Sequence, residues 1–127
     1  MSIAFDASEG LIVVAAEVTG PTGHAILRLA LDTGATSTLI NKGPLIAVGY
    51  DPASSADQIE VTTGSGIEMV SVVEVLEFSA LGQQRSEMPV LAHTLPASAG
   101  VDGVLGLDFL RGSVLRVDFR KGKVSIW

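Results

Sequence analysis

An all-β, barrel-like fold with one or two short helices is what this sequence predicts. Hydrophobic residues make up 47% of the chain and aromatic residues only 5%, so the apolar content is chiefly Val, Leu, Ile and Ala, much of it in short runs suited to strands. Some of these runs alternate apolar and polar residues with period two. Turn signals built on Gly, Pro, Asp and Ser separate them at intervals of about ten residues, the spacing of a barrel or sandwich.

Taken in order, residues 3–5 read as a short edge strand. Residues 11–18 and 25–31 read as a hairpin around Gly20-Pro21-Thr22-Gly23, with Ala25, Leu27, Leu29 and Leu31 on one face, and the hairpin ends at Asp32. After a tight Asp32-Thr33-Gly34 turn, residues 36–40 read as another strand and 44–48 as a short helix stopped by Gly49. The polar stretch 51–57 is a loop. Strands at 58–62 and 67–78 flank Thr63-Gly64-Ser65-Gly66, a hairpin whose glycines let its tip flex. Residues 82–87 read as a polar turn, 89–92 as a short strand and 95–100 as a loop. From 101 to 110 the period shifts from 2 towards 3.6, which predicts a strand or turn feeding a short helix over 107–111. Residues 114–119 and 124–127, joined at Lys121-Gly122, form a closing hairpin.

A length of 127 residues predicts a single domain, 1–127, able to bury its own core. Its mean hydropathy of +0.47 argues against disorder. The formal net charge is −6 and the pI near 4.7. With no basic cluster to neutralise phosphates, nucleic acid is a poor partner. Having no cysteine, the chain can form no disulfide, thiolate metal site or thiol nucleophile. No run approaches the roughly 18 apolar residues of a membrane span, and the first residues lack the basic start of a signal peptide. These features predict a soluble chain without membrane contact of its own. They leave open its compartment and its excision from a longer, membrane-anchored protein.

The chemistry concentrates at Asp32, a lone acid delivered by an apolar run to a Thr-Gly turn and followed by a second β-branched run. Asp32-Thr33-Gly34-Ala35-Thr36 resembles the catalytic loop of the retroviral-type aspartic proteases, the retropepsins. Val104-Leu105-Gly106, followed by Leu107-Asp108-Phe109-Leu110, resembles their apolar-apolar-Gly motif and C-terminal helix. The hairpin tipped by Gly64, Ser65 and Gly66 lies between the two motifs, as the flap does in that family. The resemblance covers nearly the whole chain and is nearest to cellular and bacterial members.

That resemblance implies an aspartic endopeptidase acting on peptides without metal or cofactor. Such hydrolysis needs one carboxylate to take a proton from water and another to give one to the carbonyl oxygen. Two carboxyls roughly 3 Å apart cannot easily both ionise and therefore share a proton. This chain has one Asp-Thr-Gly turn, and Val104-Leu105-Gly106 stands where a second acid would be needed. An enzyme of this type is thus one subunit of a two-fold homodimer with Asp32 from each copy. Thr33 and Gly34 would hold the carboxylates, while Ala35, Gly64, Ser65 and Gly66 would meet the substrate. Family members often interleave their termini at the dimer interface, and residues 3–5 and 125–127 match in character, with Trp127 as an anchor. The alternative is a non-catalytic peptide-binding or dimerisation module on the same scaffold.

Other candidates have plainer readings. Asp102, before Gly103, reads as a turn former, and Asp108 as a helix cap or a solvent-facing acid. His24 and His93 are isolated and read as surface or loop residues. No Gly-x-Ser-x-Gly pattern supports a serine hydrolase.

Overall fold

The computed structural model of the chain describes residues 2–127. Ten strands and two short helices follow in order: β1 (Ser2–Ala4), β2 (Val13–Gly20), β3 (Gly23–Leu31), β4 (Leu39–Ile40), α1 (Lys42–Ala47), β5 (Gln58–Thr63), β6 (Gly66–Ala80), β7 (Gln83–Ala92), β8 (Gly103–Leu105), α2 (Leu107–Leu110), β9 (Leu115–Asp118) and β10 (Lys123–Ile126). Single 3₁₀ turns at Pro52–Ser54 and Ala97–Ala99 complete the set. The fold class is as the sequence predicts.

Six strands close a barrel in the order β2-β3-β8-β4-β7-β6, with β6 returning to β2 from Ala16↔Ala80 to Thr19↔Glu77. Closure removes the free edges that an open sheet would present to other chains. The alternation in β2 and β3 explains the barrel wall: Val14, Ala16 and Val18 on one strand and Leu27 and Leu29 on the other are buried. They pack with Ile40, Leu45, Val75, Val90 and Leu105 in one core. Phe78 and Phe109 meet edge to face in it, with centroids 5.4 Å apart. The first half of β6 leaves the barrel and pairs with β5 from Gln58↔Ser71 to Thr63↔Gly66, forming a projecting hairpin.

Several boundaries differ from the sequence reading, each for a physical reason. β2 starts at Val13 and runs on to Gly20. The predicted turn over 82–87 is a two-residue turn, Leu81-Gly82, with φ of 52° and 76° at its two positions. β7 therefore begins at Gln83, and its polar start marks a solvent-facing strand instead of a loop. Within the β6–β7 pair, the register passes over Leu76 and Glu87, and Glu87 has φ 53°. Beyond the last β2–β6 pair, Thr19↔Glu77, the Leu76 N–H donates to the Tyr50 hydroxyl, which itself donates to Thr19 O. Of the strand predicted over 36–40 only Leu39–Ile40 pairs, because residues 35–38 make other bonds, described below.

A second, three-stranded sheet has the order β1-β10-β9. β1 is the edge strand the sequence predicts, and it pairs with β10 of its own chain, Ser2↔Ser125 to Ala4↔Lys123. Val124 and Ile126 are buried beneath this sheet, with Ile3, Leu115 and Val117 packed alongside. Trp127 exchanges both backbone hydrogen bonds with Val114 while its side chain stays exposed. Among the described residues no helix is long and apolar enough to cross a membrane.

Candidate active site

Asp32 sits where β3 runs out of partners. β3 pairs in parallel with β8 through Leu31↔Leu105, and the Asp32 N–H donates to Leu105 O at 3.0 Å, one step beyond the ladder. The chain then folds back on the carboxylate. Gly34 N–H donates to Asp32 Oδ1 at 2.9 Å and Ala35 N–H to Asp32 O at 3.2 Å. One carboxylate oxygen is thereby oriented, while the other, Oδ2, accepts no hydrogen bond from the described residues. Asp32 and Ala35 are half-buried, and Thr33 and Gly34 are exposed. The Thr33 hydroxyl makes no hydrogen bond among the described residues.

The loop is held from behind by the second half of the chain. Leu107 N–H donates to Ala35 O at 2.8 Å and Asp108 N–H to Thr36 O at 3.2 Å. Asp108 Oδ2 accepts Thr38 N–H at 2.9 Å, and its Oδ1 accepts the Thr38 hydroxyl at 2.7 Å and Phe109 N–H at 2.8 Å. The same Thr38 hydroxyl accepts Gly106 N–H at 3.2 Å. Thr38 is fully buried, and these bonds satisfy it completely. Asp108 therefore neither caps the helix, whose N-cap is Gly106, nor simply faces solvent: from the first turn it reaches across to the loop.

The glycine of Val104-Leu105-Gly106 has a steric cause. A Cβ at Gly106 would lie 2.7 Å from Ser37 C and 2.8 Å from Ala35 O, both backbone atoms that the network fixes. A side chain at Gly103 would collide with Leu39 O. The apolar-apolar-Gly motif is thus the seat of the Asp32 loop.

The remaining acids and histidines have structural or surface places. Asp102 is more than a turn former: its Oδ2 accepts Arg28 N–H, its N–H donates to Arg28 O and its O accepts Asn41 N–H. It thus ties β3, β8 and the start of α1 together. His24 lies 3.8 Å from Glu17 and His93 3.7 Å from Glu68, the first pair exposed and the second partly so. Among the described residues no group of three or more His, Cys, Asp or Glu is placed to hold a metal ion.

A cavity of about 430 Å³ connects the loop to the projecting hairpin. Ser37 from the loop and Ile59 from β5 line it, over a floor that includes Val72, Met88 and Leu91. Arg85 closes one side, its guanidinium 4.7 Å from the Phe109 ring centroid and donating to Phe109 O. Gly64, Ser65 and Gly66 lie exposed at the hairpin tip, and among the described residues the Asp32–Gly34–Ala35 turn bonds to itself, β8 and α2. The structure thus gathers Asp32, Thr33, Gly34 and Ala35 into one turn, with Gly64, Ser65 and Gly66 at the tip of the separate β5–β6 hairpin. Sequence reasoning missed Thr38 and the reach of Asp108, because nothing local marks two residues so far apart as partners.

Comparison with known proteins fits this architecture. Residues 18–112 match the family described as gag-polyprotein putative aspartyl protease. A search of curated protein sequences returned no significant match. Among solved structures the chain is similar to a retropepsin-like aspartic protease from Rickettsia conorii, with a TM-score of 0.70 and 17% identity over 100% of this chain and 97% of that one. At that identity the likeness is one of fold. The sequence match runs from β2 through α2 and includes both the Asp32 turn and its Gly106 seat, and on it the chain belongs to the retropepsin-like aspartic protease family.

Proposed function

We propose that this chain is an aspartic endopeptidase, folded as one domain and active as a homodimer that supplies Asp32 from each copy. The observation that carries this reading is the half-finished state of the turn. Gly34 orients one carboxylate oxygen, the other is open, and β8 and α2 supply a rigid seat whose one acid, Asp108, is taken up by Thr38 and Phe109 N–H. A second Asp32 across a two-fold axis completes a proton-sharing pair. One carboxyl then accepts a proton from water while the other protonates the carbonyl oxygen of the scissile peptide.

Thr33 and Gly34 hold the carboxylates in place, Gly34 through its N–H. An extended peptide lies between the Asp32 turns and the β5–β6 hairpin, which serves as a flap with Gly64, Ser65 and Gly66 at its tip. Ala35 contributes to the floor, and the cavity beside Ser37 and Ile59 accepts a substrate side chain.

The test is cleavage of an unbiased peptide mixture between about pH 4 and 7 over a range of protein concentrations, beside Asp32→Asn. Cleavage that rises more steeply than linearly with protein and vanishes in the variant is the expected result. A demonstrably dimeric wild type that binds peptides without cutting them would make the chain a peptide-binding module.

A further inference from the structure

We propose that two copies join through the free edge of β9, antiparallel and centred on Val117, giving a continuous six-stranded sheet β1-β10-β9 with the partner's β9-β10-β1. This rests on the two-carboxylate reading above, which requires a second copy. It differs from interleaved termini, because here β1 already pairs with β10 of its own chain.

Hydrogen-bond parity identifies the edge. Val114 and Trp127 exchange both backbone bonds, 2.8 and 3.1 Å. Pairs in an antiparallel ladder alternate, so with the register Arg116↔Ser125 and Val117↔Val124 the next bonded pair is Arg116 with Ser125. Leu115 and Val117 then turn their N–H and C=O groups away from β10. These groups have no backbone partner among the described residues. An edge of this kind is a template for another strand.

Charge selects the register. Only registers that set outward-facing residues opposite one another allow bonding across the edge. A centre on Arg116 places two arginines face to face, and a centre on Asp118 places two aspartates face to face; both are unfavourable. A centre on Val117 sets Arg116 opposite the partner's Asp118, twice by symmetry, and Leu115 opposite the partner's Phe119. Phe119 is 68% exposed in the single chain. Asp118 Oδ1 already accepts Arg120 N–H and Lys121 N–H, and Oδ2 is left for the guanidinium.

Position in the chain favours β9 over the other free edges. β9 follows directly from α2, whose Leu107 and Asp108 N–H groups hold the Asp32 loop. Pairing at β1 instead would move the axis outward by two strand spacings, about 10 Å. Pairing at β5 would occupy the hairpin that the proposed function uses over substrate.

Cysteine cross-linking reads the register directly, since the chain has no cysteine. Directly opposed bonded residues have Cα atoms about 5.5 Å apart, within disulfide range. Val117→Cys is expected to oxidise to a covalent dimer, whereas Ala4→Cys on the outer edge of β1 forms no covalent dimer. Removal of residues 1–4 should leave sedimentation of the dimer unchanged. Val117→Pro costs no internal hydrogen bond and should weaken association by roughly 100-fold, with circular dichroism showing the β fold retained. A wild type that is monomeric at every concentration overturns the proposal. So does a dimer that Val117→Cys does not cross-link, or one that dissolves when residues 1–4 are removed. Asp32-dependent cleavage without the Val117 cross-link would sink this interface alone, and a cross-linked dimer without cleavage would sink the catalytic reading alone.

Discussion

The Asp32 turn and the β5–β6 hairpin are built on opposite principles. Behind the turn, Thr38 is fully buried and bonded to Asp108 and Gly106, and Gly106 has no room for a side chain. On the hairpin, Ile67 and Met69 are 69% and 59% exposed, and a Cβ at Gly64 would meet nothing within 4 Å. One region is fixed by many mutually dependent contacts and the other chiefly by its own ladder. A protease of the proposed type needs both: a carboxylate held in place and a cover that moves.

The largest expected break in this contrast is at Asp32 itself. Asp32→Ala should abolish cleavage, a loss of at least roughly 1,000-fold, because it removes the acid–base group from both halves of the site. The fold should survive, since among the described residues the side chain accepts only the Gly34 N–H. Product formation and a thermal melt, measured on one preparation, check both statements. Retained cleavage by a clean preparation defeats the proposed mechanism.

Next in size are the glycines that separate the two regions. Gly106→Ala forces fixed backbone apart and should cost about 2–4 kcal/mol in chemical denaturation. Gly64→Ala should stay within roughly 0.5 kcal/mol. Thr38→Val keeps the shape and removes both hydrogen bonds of the hydroxyl, leaving the Gly106 N–H without its partner, at about 1–3 kcal/mol. A cycle with Asp108→Asn should show coupling between these two positions, whereas a cycle between Thr38→Val and Gly64→Ala should be additive.

On the hairpin, function should move without stability. Ile67→Ser and Met69→Ser remove exposed apolar side chains, so melting should barely change. If the hairpin covers bound peptide, KM should rise several-fold with kcat less affected. Unchanged KM in both variants would separate the hairpin from substrate binding.

What the sequence made legible follows the same division. The Asp32 turn, its Gly34, and the Gly106 seat are local patterns, and local turn chemistry survives into the fold. The Thr38–Asp108 contact spans 70 positions and has no local trace. Polarity misled at residues 83–87, because a solvent-facing strand and a turn use the same residues, and only the two positive φ values at Leu81-Gly82 distinguish them. The fate of β1 was not legible either, since a short apolar strand pairs equally well with its own chain or with another; the structure gives it Ser125, Val124 and Lys123 of its own chain.

The smallest expected effect lies in the β9–β10 turn, where backbone N–H groups hold a carboxylate. The Lys121 N–H, aided by Arg120 N–H and by the positive charges of Lys121 and Arg116, holds the Asp118 carboxyl below its ordinary value of 3.8. Ser8, through its hydroxyl and then its N–H, does the same for Asp6. A carboxyl whose folded value is depressed contributes stability that is present above its unfolded value and is lost as pH falls through the folded one. Stability should therefore decline below about pH 4, and Asp118→Asn should show a shallower decline. Denaturant midpoints at pH 6 and near pH 3 test this, and equal slopes for wild type and variant would refute it. The same turn carries the acid that the proposed dimer sets against Arg116 of the partner. Association should therefore weaken over the same acidic range in which Asp118 gains its proton, and Asp118→Asn should remove that part of the dependence, whereas in a dimer joined elsewhere the variant would leave the profile unchanged.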